Sequence, residues 1–126
     1  MNTDSSTSYP TSYNLPNMVT VAAINSTGGL VPWSNWGSKT VHLGAPGVGI
    51  FSTIAYNKYA SFSGTSMACP HVTGAVALYA SKYPSATAAQ IKAALLASAA
   101  PTASLAGKTV SGGRLDVAAM LKIAPA

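Results

Sequence analysis

The run Met18 to Ile24 (MVTVAAI) is almost wholly apolar, rich in β-branched side chains, and does not alternate apolar with polar positions. A strand of that kind has no face to give to water, so it belongs inside a parallel sheet covered on both sides. The Gly28-Gly29 turn closes it. Shorter strands are expected near Val31 to Trp36, Thr40 to Leu43, Gly49 to Thr53 and Tyr59 to Phe62, with turns at Gly37-Ser38 and Ala45-Pro46-Gly47. Residues 1–17 are rich in Ser, Thr, Asn, Tyr and Pro and favour turns over a packed element.

From Ser66 the hydrophobic period changes. Met67, Val72, Ala75, Val76, Leu78 and Tyr79 fit a helix with few polar positions, which must be central, and Gly74 and Ala75 would let a neighbouring backbone come close. A second helix is announced by Thr87-Ala88-Ala89-Gln90, a capping box in which the threonine bonds forward and the glutamine back, and Ile91, Ala94, Leu95 and Ser98 define its inner face. Asp116 can cap a third helix over Val117 to Leu121. Strands first and helices last is an unusual order for a whole α/β domain and suits the closing segment of a larger one.

Composition removes several functions. The net charge of +5 comes from Lys39, Lys58, Lys82, Lys92, Lys108, Arg114 and Lys122, which are scattered, so no basic stripe follows a phosphate backbone and no nucleic-acid partner is expected. No apolar stretch is long enough for a membrane span, and no membrane partner is expected. Cys69 is the only cysteine, which rules out an intrachain disulfide and a thiolate metal cage; in its Ala/Pro/Val-rich surroundings it is expected to pack as a small hydrophobe. The polar stretch Asn2 to Tyr9 has neither the basic start nor the apolar centre of a signal peptide, so an export signal for a secreted parent would lie upstream.

Chemistry concentrates in Ser61-Phe62-Ser63-Gly64-Thr65-Ser66-Met67-Ala68-Cys69-Pro70-His71-Val72-Thr73-Gly74. A serine that follows a strand and a Gly-Thr turn, in the first turn of a buried helix, can point its hydroxyl into a cleft while its own N–H faces a developing oxyanion. Such a serine can equally be a plain helix cap. The surrounding residues decide between them. Gly64-Thr65-Ser66-Met67-Ala68, followed by Pro70-His71-Val72 and Gly74, resembles the nucleophile motif of the subtilisin-like serine proteases, or subtilases.

The resemblance covers nearly the whole chain. Tyr9-Pro10, Tyr13 and the strand at Val19 to Ala23 look like the segment that lines the family's primary specificity pocket, and imply a cis peptide at Tyr9-Pro10. Ala45-Pro46-Gly47-Val48 through Ser52-Thr53, Asn57-Lys58-Tyr59 and Gly113-Arg114-Leu115-Asp116 resemble further family segments, and Trp33 to Ser38 is closest to thermitase-like members. It implies the C-terminal portion of a three-layer α/β/α fold with a mainly parallel sheet, occupying residues 1–126, and a secreted, extracellular parent. Ser66 would be the acylated nucleophile and an oxyanion donor, with Ser63, Gly64 and Thr65 beside substrate and Phe62 and Met67 along the leaving-group side. Polypeptides would be the substrates. No cofactor is needed for the chemistry, and a structural calcium in the parent would draw on carbonyls near Thr11 and Tyr13.

Three family motifs are missing: those of the catalytic Asp, the catalytic His and the oxyanion Asn. Asp4, His42 and Ser66 occur in the family's catalytic order, but Asp4 lies in Asp4-Ser5-Ser6 and His42 stands where the family usually has an acidic residue, so this is a decoy. His71, five residues beyond Ser66, is expected to face away from the serine as a buried histidine bonded to its neighbours. The motif differs from the α/β-hydrolase elbow only at its last position, but the late histidine that fold needs is absent. The isolated chain is therefore expected to be inactive, its missing groups supplied by an N-terminal part of the same catalytic domain. Two alternatives stand beside this reading: a non-catalytic binding or complementation fragment, and a pseudoenzyme.

Overall fold

A computed structural model describes residues 1–126, and in it only the last four residues of the apolar run form a strand, Met18 to Thr20 lying half-buried before it. Strand β1 (Val21–Ile24) carries Ala22, Ala23 and Ile24 out of solvent and pairs in parallel with β2 (Leu43–Pro46), Val21 opposite Leu43. Strands β3 (Ile50–Ile54) and β4 (Lys58–Phe62) form a separate antiparallel hairpin. Helix α1 (Thr65–Lys82) follows directly, then α2 (Ala88–Ser98), the two-residue strands β5 (Ala100–Pro101) and β6 (Gly113–Arg114), and the one-turn helix α3 (Val117–Met120). The main sheet runs β1-β2-β6-β5, parallel except for β5. This is a mixed α/β chain with a mainly parallel sheet.

Alternation along the strands sends side chains to both faces. Ala23, Leu43 and Ala45 meet Ala68, Val72, Ala75 and Tyr79 of α1, with Leu95 of α2 and Met120 of α3 completing the cluster. On the opposite face Leu105, from a 3-10 turn at Ala103–Leu105, lies against Gly44, where a Cβ would stand 2.6 Å from its Cδ1. Tyr79 is the largest wholly buried side chain and donates its hydroxyl to the Ile123 carbonyl at 2.8 Å.

Several expectations change here. The segment Val31 to Trp36 is not a strand: it holds to its neighbours through isolated bridges at Leu30 and Trp36, because Ser34 turns back to bond Val31. Strand β2 starts at Leu43 rather than Thr40 and runs through Pro46, which was expected in a turn; Gly47 makes the hydrogen bond to Ile24 that proline cannot. Strands β5 and β6 were not foreseen, since two residues carry no period, and Gly113 permits their pairing because a Cβ there would lie 2.6 Å from the Ala100 carbonyl oxygen. Cys69 is exposed rather than packed. Helix α1 is central on one side only: Cys69, Pro70, Thr73, Gly74, Ala77 and Leu78 face outward, and nothing approaches within 4 Å of a Cβ placed on Gly74.

The capping box of α2 forms as read, with Thr87 Oγ1 accepting from the Gln90 N–H and Gln90 Oε1 accepting from the Thr87 N–H. Thr87→Ala removes one of these bonds at an exposed position and should lower stability by about 1 kcal/mol, measurable by urea unfolding with an unchanged m-value.

Candidate active site

Ser66 owes its position to a clip between two turns. The Ile24 carbonyl at the end of β1 accepts from the Gly47 N–H at 3.0 Å, and the Gly47 carbonyl accepts from the Gly64 N–H at 2.8 Å. The Gly64 carbonyl then receives the N–H groups of Met67 and Ala68, at 3.0 and 3.3 Å, and starts the helix. Gly64 is the N-cap and no side chain caps the helix, so Ser66 is free of the capping role. It is exposed, lies in the first turn where N–H groups lack intrahelical partners, and neither its N–H nor its hydroxyl bonds to another group of the chain.

The serine stands on a ridge between two hollows. One, of about 370 Å³, is bounded by Ile50 and Phe51 of β3, Phe62, Met67, Pro70 and His71. The other, of about 770 Å³, is bounded by Thr11, Val19 to Val21, Thr65, Cys69, Thr73 and Gly74. Phe62 and Met67 therefore meet at Ser66 on one side and Thr65 lies on the other. Gly64 lines neither, but a Cβ on it would sit 3.6 Å from the Ser66 nitrogen and 3.4 Å from Met67 Sδ, so the glycine leaves the space before that N–H open. The exposed Ser63 also ties β4 to the start of β3, its hydroxyl accepting from the Gly49 N–H at 2.9 Å.

The histidines and carboxylates are placed by tertiary contacts. His71 is half-buried and borders the same hollow as Ser66, correcting the expectation that it is buried and turned away; the two side chains share no hydrogen bond. Its Nδ1–H donates to the Met67 carbonyl at 2.9 Å, since a carbonyl only accepts. His42 is 3% exposed, and its Nδ1 accepts from the Thr20 N–H at 2.9 Å. Burial, with the positive charge of Lys92, lowers its pKa to about 4.

Asp4 lies at the surface. Desolvation acts to raise its pKa, but the hydroxyls of Thr40 and Ser38 and the Lys39 N–H bond its carboxylate and hold it at about 2. That contribution to stability is present above pH 3.8, its ordinary value, and fades as pH falls toward 2. Asp4, His42 and Ser66 thus have separate partners and form no triad.

A calcium ion would find few oxygen donors beyond the Thr11 and Tyr13 carbonyls, which accept no hydrogen bond from the chain. The chain's two carboxylates are engaged, Asp4 as described and Asp116 in capping α3 through the Ala119 N–H. His42 offers no oxygen, and the Ser8 and Pro10 carbonyls beside Thr11 and Tyr13 already accept hydrogen bonds. The Tyr9-Pro10 peptide is cis, as the resemblance implied.

Taken together, these features describe a mixed α/β chain that carries an exposed serine, free of hydrogen-bond partners, at a strand-to-helix junction. The subtilase family model matches residues 1–116. The chain is 48% identical over 75 residues, 60% of its length and 6% of the other's, to Subtilisin-like protease 2 of Plasmodium falciparum (isolate 3D7). It is 44% identical over 84 residues, 67% of its length and 22% of the other's, to the thermostable alkaline protease of Halalkalibacterium halodurans. A solved structure of a protease from Pseudoalteromonas arctica superposes with a TM-score of 0.80 at 30% identity, covering 90% of this chain and 37% of that one. The chain belongs to the subtilase family. It spans well under half the length of these relatives.

Residues beside Ser66 that the sequence reading did not assign to the cleft include Ile50, Phe51 and Pro70. Only strand register brings Ile50 opposite Phe62. No local signal in the sequence could have done so.

Proposed function

We propose that this chain is the nucleophile-bearing portion of a serine endopeptidase that hydrolyses peptide bonds through an acyl-enzyme on Ser66. The observation that carries the reading is the state of Ser66: an exposed residue whose hydroxyl and N–H are both without a hydrogen-bond partner, on a ridge between two hollows. A base in the longer polypeptide takes the Oγ proton, Oγ attacks the substrate carbonyl, and the Ser66 N–H donates to the resulting oxyanion. The proton then passes to the leaving amine, the C–N bond breaks, and water releases the acyl group.

In this reading Phe62 and Met67 contact the residues after the scissile bond, while Gly64 and Thr65 keep the oxyanion position clear. Ser63 acts at one remove, through the hairpin. The substrates are extracellular polypeptides, and no cofactor, nucleic acid or membrane takes part. No helix is long and apolar enough to cross a membrane.

Within these residues neither imidazole reaches Ser66, so the chain alone should be silent. Incubation with a fluorophosphonate probe is expected to leave Ser66 unlabelled. Rapid labelling of the isolated chain would refute the need for an external base.

A further inference from the structure

Asn25-Ser26-Thr27 has no part in the cleft, yet it has the form Asn-x-Thr without proline, the acceptor signal for N-linked glycosylation. Asn2, Asn14, Asn17, Asn35 and Asn57 all lack a serine or threonine two places on. Three matching residues arise often by chance, and the fold decides what these offer.

The triplet turns the chain at the end of β1. Ser26 and Thr27 are exposed and Asn25 is half-buried. The Asn25 N–H donates to the Gly29 carbonyl at 2.9 Å and its carbonyl accepts from the Gly28 N–H at 3.0 Å, so the turn is closed by its own backbone. The two ends of the asparagine side chain are used differently. Oδ1 accepts from the Thr27 N–H at 3.1 Å, the Thr27 hydroxyl at 2.8 Å and the Gly29 N–H at 2.8 Å. Two of these donors are backbone N–H groups, which identifies the oxygen end of the amide. Nδ2 bonds to nothing in the chain, and since no half-buried residue hides an unpartnered side-chain nitrogen, it is open to water.

An amide with its oxygen held and its nitrogen free can carry a substituent on that nitrogen: a glycan replaces one N–H proton and leaves all three hydrogen bonds in place. There is also room, because the turn shares a hollow of about 310 Å³ with Pro46 and Arg114. Both carboxylates of the chain have other partners, so Arg114 is left to donate to sugar hydroxyls. Asn25 borders neither hollow at Ser66, and a glycan there leaves the cleft open.

We propose that Asn25 is an acceptor for an N-linked oligosaccharide, taken from a lipid-pyrophosphate carrier as the polypeptide is exported. Nδ2 attacks the anomeric carbon of the carried sugar, and the new C–N bond forms as the C–O bond to pyrophosphate breaks. The lipid pyrophosphate leaves with the electron pair, and one amide proton passes to a base of the transferase. The inference rests on the reading of an extracellular parent for the encounter with that carrier, and not on the acyl-enzyme chemistry.

The test exports this chain through a eukaryotic secretory host behind a cleavable signal peptide, with a second Asn-x-Thr triplet in a C-terminal tag as internal control. Molecules glycosylated on the tag are collected, and attachment is mapped by mass after an amidase removes the glycan and leaves Asp behind. Asn25 should be occupied in most of them. Asn25→Asp, which keeps an oxygen for the three donors, and Thr27→Ala should each abolish that occupancy, while Thr27→Ser should retain it. The Thr27 and Gly29 amides should resist exchange as well in the glycosylated chain as in Asn25→Asp.

An empty Asn25 beside an occupied tag overturns the inference, and so does occupancy that survives Thr27→Ala. Loss of protection at Thr27 and Gly29 on glycosylation does the same, since the native turn would then have no room for the sugar. Export is tested apart, with the parent's own upstream residues in place of the signal peptide. Retention of that polypeptide inside the cell refutes the extracellular reading, while occupancy of Asn25 under forced export upholds its role as acceptor.

Discussion

Gly47→Ala is expected to lower the stability of this chain by about 3 kcal/mol, the upper end of the range for overpacking. A Cβ at that position would lie 2.7 Å from Ala23 Cβ and 2.8 Å from the Gly64 carbonyl oxygen. Neither neighbour is the loose end of a long side chain: Ala23 is wholly buried in β1, and Gly64 is backbone in the turn that starts α1. The strain therefore falls on the clip that holds the Ser66 turn against the sheet. Gly74→Ala is the control of opposite sign. Nothing lies near its Cβ, and replacing a mid-helix glycine should add about 0.5–1 kcal/mol. Urea melts of the two variants measure both, and equal, small effects would show that Gly47 is not a point of close approach.

Acidification should destabilise the fold in two separate windows. His42 has a folded pKa near 4 against an ordinary 6.5, so the folded state resists protonation: its contribution is complete above pH 6.5 and is lost as pH falls from 6.5 to 4. The loss amounts to about 3 kcal/mol, at roughly 1.4 kcal/mol per pH unit of depression. The cause is structural as well as electrostatic, because Nδ1 accepts from the Thr20 N–H and a proton there would remove the acceptor. Below pH 3.8 the surface carboxylate of Asp4 begins its own decline toward pH 2. Stability measured from pH 7.5 to 2.5 should show both slopes, and His42→Gln should flatten the first while leaving the second. A flat profile between 6.5 and 4 in the wild type would place His42 in contact with water.

Much of the site could be read before any coordinates. Gly64 leads from β4 into α1, which begins at Thr65 where the change of period near Ser66 foretold a helix, and the caps at Thr87 and Asp116 form as written. These features are local: each depends on residues within a turn or two of one another, so sequence spacing specifies them. The clip through Gly47, the placement of His71 beside the nucleophile, and the exposure of Cys69 were not legible in this way. The clip and the exposure of Cys69 depend on which distant segment lies opposite, or on none lying there.

The sequence by itself determined that Ser66 stands at a strand-to-helix junction, that β1 must be buried, and that no basic stripe is present, because composition and period are properties of neighbouring residues. Tertiary structure alone decided that Asp4 and His42 have other partners, that Ser66 divides two hollows, and that β1 is an edge strand of the main sheet. Those outcomes are set by strand register and by the closing of long loops. Hydrogen bonds and close contacts between residues far apart in the chain decide both, and neither leaves a trace in the spacing of residues.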